Sequence, residues 1–245
     1  MKPIRQIAAV SLLIFAIGFI AWRAALNPER TVRRQALTRR EVATRVLAEY
    51  LAKEFAGRRA LVLSNPFTQL PGQTASVLAF EASGIRGLKK GWGEHINLVG
   101  VVFPQLKPAA IQDPSSVPID PQCTTPLSFL TVETAWDDLA RSNPSADLFV
   151  SLIGLPLNLS NLEVWRQPKP AFALLLPDLR MIGNGSAIRD ALHGGKLAAI
   201  VLNRPGPPPE SLPMAADAIT EFDQRFLLVT PKNVDEIQRA YPQVF

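Results

Sequence analysis

Beyond about residue 57 the chain alternates between short unbroken apolar runs and stretches in which apolar residues return every three or four positions. The runs are ALVLSN (60–65), INLVGVVF (96–103), ADLFVSLIGLP (146–156), AFALLLPD (171–178), LAAIVLNRP (197–205) and RFLLVTP (225–231). Proline closes them at Pro66, Pro104, Pro156, Pro177, Pro205 and Pro231. Their length and uniformity predict strands covered on both faces. The segments 74–92, 127–143, 160–167, 185–196, 217–225 and 233–241 have helical spacing. Thr131 and Ser186 stand where N-caps belong, and Gly194-Gly195 where a helix would stop. Pro-rich loops at 104–126 and 205–213 complete the order, with no hairpin turn and no internal repeat. This alternation predicts a three-layer α/β fold: a mostly parallel sheet of about six strands flanked by helices.

The N-terminus follows a different pattern. Lys2 and Arg5 precede IAAVSLLIFAIGFIAW (7–22), in which Ser11 is the sole polar side chain. Continued past Arg23 to Leu26, the stretch reaches the roughly 20 residues that span a bilayer, and Arg23 can snorkel beside Trp22. No pair of small residues at cleavage spacing follows the apolar run, so an uncleaved single-pass transmembrane helix is expected. Its partner is the lipid bilayer through residues 7–26. Arg23, Arg30, Arg33, Arg34, Arg39 and Arg40 favour a cytoplasmic domain by charge bias, whereas a short basic tail before an apolar run is the layout of a signal-anchor. We take export as the expectation, with the globular part extracytoplasmic at the cell membrane.

Asn27 as N-cap and Pro28 at the first helical position open a charged helix running towards Phe55. Ala43, Val46, Leu47, Tyr50 and Leu51 share one face of it, which predicts packing on the domain or a neighbour. The pattern is too brief for a coiled coil. The expected organisation is therefore a membrane anchor (1–26), a basic juxtamembrane helix (27–56) and a single α/β domain (57–245).

Charge changes the picture only once it is located. The net charge of +5 suggests a polyanion partner, but residues 1–60 carry 12 of the 26 basic and 4 of the 21 acidic side chains, net +8. The remainder is net −3, a field that does not draw in nucleic acid.

Several segments carry a family resemblance. AEYLAKEFAGRRALVLSN (48–65), GIRGLKKGWGEHINLVGVVF (84–103) and FLTVETAWDDLARSNPSADLFVSLIGLP (129–156) resemble the second lobe of type I periplasmic binding proteins. The family's helix ending before Asn-Pro-x-x-Asp and the next strand is similar to Asn143-Pro144-Ser145-Ala146-Asp147, one residue off the commoner spacing. The resemblance covers about residues 48–156 and implies an α/β lobe. Members of the family bind ligands in a cleft between two lobes, and this chain has length for one.

In open α/β sheets ligands gather at the carboxyl ends of the strands. Ser64, Asn65, Thr68 and Gln69 follow the first strand, Asp178 the fourth, Asn203 and Arg204 the fifth, and Thr230 and Lys232 the sixth. Such residues also cap helices and make turns. The ligand-binding candidates are Asn65, Asp178, Arg204, Ser64 and Asn203. No catalytic set, metal site or cofactor is expected. His95 and His193 have no ligand spacing, Cys123 is the single cysteine and has no histidine near in sequence, and Asp137 and Asp138 point apart on a helix. Gly183-Asn184-Gly185-Ser186 leads into a helix but lacks the spacing of a phosphate loop.

The expected function is a membrane-anchored, non-enzymatic binding or sensing module with a small polar ligand or a partner protein. The alternatives are an enzyme with catalytic residues dispersed over the strand ends, and a scaffold or assembly subunit.

Overall fold

A computed structural model describes residues 28–245 of the chain. The six apolar runs form one sheet: β1 (Arg59–Leu63), β2 (Asn97–Val102), β3 (Leu148–Ser151), β4 (Ala171–Leu175), β5 (Leu197–Asn203) and β6 (Phe226–Val229). Their order is β2-β1-β3-β4-β5-β6. All neighbours are parallel except β5 and β6, which pair antiparallel with Asn203 opposite Phe226.

The antiparallel pair has a local cause. After β5 the chain turns through the Pro-rich loop and a short helix, then enters β6 at the end where β5 finished. Arg204 donates its backbone N–H to the Arg225 carbonyl at that junction.

The period-2 alternation of strand side chains divides the interior into two apolar layers. Leu61 and Leu63, Phe149, Phe172 and Leu174, Ile200 and Leu202, and Leu227 and Val229 lie on one face. Ala60 and Val62, Leu148 and Val150, Ala173 and Leu175, Ala199 and Val201, and Phe226 lie on the other. The second face is covered by α1 (Pro28–Glu54), α2 (Ala75–Trp92) and α8 (Ala218–Arg225). Helices α5 (Ala135–Ser142), α6 (Glu163–Arg166), α7 (Gly185–His193) and α9 (Val234–Ala240) pack on the first. Two further short helices, α3 (Pro108–Gln112) and α4 (Leu127–Leu130), lie in the long connection between β2 and α5 and close a small cluster around Leu106, Ala110 and Leu130.

Helix α1 buries the expected face: Ala43, Leu47 and Leu51 are inaccessible, with Val46 and Tyr50 half-buried beside them. It lies against α2 at glycine positions. A Cβ on Gly87 would come within 2.3 Å of the Glu41 carbonyl oxygen, and one on Gly91 within 2.5 Å of that of Arg45. Only a bare backbone allows that approach.

Three expectations change. Strand β2 is not shielded on both faces: as the end of the sheet it has β1 alone for a neighbour, and Leu98 and Val99 are exposed. The helix expected over 127–143 is two helices. Between them the chain pairs with residues 105–107, Lys107 donating to the Leu130 carbonyl and Val132 to that of Gln105. Thr131 lies in that bridge and follows α4 as its C-cap instead of opening a helix as N-cap, because tertiary pairing of β-branched residues overrides the helical period. Asn184 caps α7 in place of Ser186, its Oδ1 accepting from the Ala187 N–H, and the Ser186 hydroxyl donates to the same oxygen.

Among the described residues no helix is long and apolar enough to cross a membrane. The expected anchor at 1–26 and the Asn27 cap lie outside the described residues.

Candidate functional site

The chain leaves β1 in one direction to form β2 and returns on its other side as β3, so the strand order reverses between β1 and β3. Open α/β sheets hold ligands at such a point. A cavity of about 520 Å³ opens there, at the carboxyl ends of β1, β3 and β4, within the size range of small-molecule sites.

Its floor is built from β1 and the two helices above it. Ser64, the first residue after β1, donates its hydroxyl to Glu81 Oε2 at 2.9 Å. Glu81 Oε1 accepts from Arg40 Nη2, also at 2.9 Å, and the same nitrogen reaches the Leu152 carbonyl after β3 at 3.3 Å. The Arg40 side chain is 9% exposed, and its guanidinium carbon lies 4.1 Å from the centre of the Phe80 ring. Burial pulls the Arg40 pKa below its ordinary value, partly offset by the Glu81 carboxylate. A guanidinium so placed remains charged.

Both Glu81 oxygens are thus occupied, whereas among the described residues Arg40 Nη1 makes no hydrogen bond and Nε is buried without a partner. The walls are apolar: Leu37, Val77, Leu127, Ile153 and Leu176. Leu176 adopts φ 48°, the left-handed region that non-glycine residues rarely enter. Gly154 (φ 81°) turns the chain after β3, and a Cβ there would lie 2.6 Å from Thr125.

The sequence-predicted residues divide by position. Asn65 is at the cavity, and Ser64, fully buried, lies beneath it against Glu81. Asn65 lines it while its Oδ1 accepts from the Phe67 N–H at 3.0 Å, capping the 3-10 turn Pro66–Gln69. Asp178 stands one layer behind: buried, it accepts from Arg180 through both oxygens and from the Thr124 N–H at 3.3 Å. The Arg180 hydrogen bonds hold its carboxyl below the usual aspartate range. Its contribution is to fix Thr124 and Thr125, which form one lip of the cavity.

Asn203 lines an adjoining hollow of about 220 Å³ that shares Ala36, Arg40, Phe80, Leu175 and Leu176 with the main cavity. Arg204 turns away and donates to the Tyr241 hydroxyl, stacked 5.5 Å from that ring. Asn65, Asp178 and Arg204 therefore do not converge on one cavity. Of the other strand tips, the Thr68 hydroxyl donates to the Asn65 carbonyl, Gln69 is exposed, Thr230 is capped by Asn233 and Lys232 pairs with Glu54.

The sequence reading missed Arg40, Glu81 and Phe80. A signal was present: Arg40 lies three and seven positions before Ala43 and Leu47, and Glu81 seven before Leu88, so each puts a charge into an apolar helical stripe. Among the described residues no group of three or more His, Cys, Asp or Glu side chains is placed to hold a metal ion.

No protein-family model matches the chain, and no curated protein matches it significantly. Solved structures do. A periplasmic solute-binding protein of an ABC transporter from Actinobacillus succinogenes, with bound D-allose, aligns over 80% of this chain and 62% of its own at 11% identity, TM-score 0.44. An arabinose-binding protein from Geobacillus stearothermophilus gives the same coverage and identity with TM-score 0.45. A galactofuranose-binding protein aligns over 84% of this chain and 63% of its own at 11% identity, TM-score 0.46. The chain thus covers less than two thirds of the length of these proteins, and the likeness is one of fold.

Proposed function

We propose that the chain is the binding lobe of a membrane-tethered, non-enzymatic binding or sensing module that holds a small ligand at the carboxyl ends of β1, β3 and β4. One observation carries the reading. A cavity of about 520 Å³ lies where the strand order reverses, and beneath it sits a buried Ser64–Glu81–Arg40 network with a free guanidinium N–H. Residues 7–26 supply the tether, and the domain faces the extracytoplasmic side.

A thermal-shift screen of the full chain against amino acids, sugars, nucleotides and small organic acids tests the binding role. A single-site ligand at a hundred times its Kd adds about 2.7 kcal/mol to stability, so the melting temperature climbs with concentration. A flat response to the whole panel overturns the reading. A reporter fused to the C-terminus reads the orientation.

A further inference from the structure

We infer that the cavity over Glu81 selects a small amphipathic carboxylate: an apolar body against Phe80, Leu37, Ile153 and Leu176, with its head group on the free Nη1 of Arg40. This rests on the binding-lobe reading and goes one step further, from a site to the chemistry of its guest.

The argument turns on which polar groups remain open. The lining contains one carboxylate, Glu81, and both its oxygens already accept hydrogen bonds, from Arg40 and from Ser64. What is left to a ligand is mostly donors. Arg40 Nη1 has no partner among the described residues, and neither has Asn65 Nδ2, whose amide is oriented by the Phe67 N–H on Oδ1. Arg33 lines the rim, exposed and without an ion-pair partner among the described residues. The charged lining side chains are therefore two arginines against one glutamate.

A polyol brings as many donors as acceptors and needs side-chain oxygens to receive its hydroxyl protons; here the Glu81 oxygens and Asn65 Oδ1 already hold donors, which leaves only the hydroxyls of Ser76, Thr124 and Thr125 among the lining side chains. A carboxylate brings acceptors alone, which matches a donor-rich site, and a charge-assisted bond to a buried guanidinium is the strong kind. Apart from the hydroxyls of Ser76, Thr124 and Thr125, the remainder of the wall is hydrocarbon, so the molecule must also carry an apolar portion.

The test is isothermal titration of the full chain in phosphatidylcholine nanodiscs with benzoate and hexanoate, their neutral amides, and D-arabinose. The carboxylates are expected to bind at least about tenfold more tightly than the matching amides, the span expected for a hydrogen bond to a charged group. Arg40→Lys is expected to weaken benzoate by about tenfold or more. Should that variant fail to fold, Leu37→Glu keeps the question open to refutation: Leu37 is half-buried in the wall and outside the core clusters, and a second carboxylate there is expected to abolish benzoate binding. Amides binding as well as carboxylates, or arabinose binding in their place, overturns the carboxylate assignment and leaves a binding lobe standing. Benzoate binding unchanged in Leu37→Glu overturns the location. Silence from both carboxylates overturns the inference, and the binding-lobe reading falls with it only if the wider thermal-shift panel is also flat.

Discussion

Arg39 on α1 donates its Nε to Glu221 Oε1 on α8 at 2.7 Å, joining residues 182 positions apart, and neither side chain is open to water. Arg225 shares the same carboxylate oxygen. The two guanidinium groups then reach outward: Arg39 to the carbonyls of Glu210 and Leu212, Arg225 to those of Pro208 and Pro209. Glu221 Oε2 accepts from the Ala215 N–H. One buried cluster therefore fastens the first helix to the sheet edge and pins the Pro-rich loop, which has no regular structure of its own.

Removing Glu221 leaves two buried cations unpaired. Glu221→Ala is expected to cost about 3–5 kcal/mol in a denaturant titration, the range for breaking a buried ion pair from one side. The loop at 208–215 should lose amide protection at the same time. A loss below about 1 kcal/mol would show that the cluster contributes nothing net.

The same carboxylate predicts a pH dependence. Burial alone would raise the Glu221 pKa, but the Ala215 N–H and the two arginines outweigh it and hold the group below its ordinary value. Asp178 is depressed likewise, chiefly by Arg180. A carboxyl with a lower pKa folded than unfolded binds fewer protons in the native state. Its contribution is complete above the unfolded values of about 4.3 for Glu and 3.9 for Asp, and is lost as pH falls through the folded ones. The denaturation midpoint should thus change little on this account between pH 7 and 5 and fall below about pH 4. Glu221→Gln should flatten that fall.

Helix α2 meets α1 through glycine. Gly87→Ala places a methyl group 2.0 Å from Thr44 Oγ1 and 2.3 Å from the Glu41 carbonyl oxygen, so the helices must separate. Overpacking of this kind costs about 1–3 kcal/mol, readable as a lower melting temperature. Gly100 in β2 has open space where a Cβ would go, and Gly100→Ala should stay within about 0.5 kcal/mol of the parent. Equal effects at the two positions would refute the close-packing account.

Asp178 is expected to act on the cavity lip. Asp178→Ala strands the Thr124 N–H and releases Arg180, a loss of about 1–3 kcal/mol. Hydrogen exchange should quicken at Thr124 and Thr125 before it does in β4. Uniform quickening across the sheet would instead mark Asp178 as general scaffolding.

The strands other than β2 were legible because a residue buried on both sides leaves an unbroken apolar run; the run of β2 is as apolar and lies in the sheet, yet Leu98 and Val99 are exposed. What local pattern lacks is the partner. Nothing in RFLLVTP distinguishes a parallel from an antiparallel neighbour, and nothing in LSFLTVETAWDD announces that Leu130 and Val132 bond to residues 105–107. The site was legible in part for the same reason. Ser64 and Asn65 were reachable by knowing where a strand stops, whereas Arg40 and Glu81 meet only once two helices have crossed above β1. Arg204 follows a strand as Asn65 does, and its fate was set by Tyr241 from the far end of the chain.

The leading helix has a practical consequence for anyone trimming the chain. Leu47, Leu51 and Ala43 are the roof over one side of the sheet, so cutting at residue 56 to discard a supposed stalk would strip that roof and lay Ala60, Val62 and Val150 open to water. A shortened version that keeps its shape must retain the buried stretch of this helix, from Arg39 to Ala52.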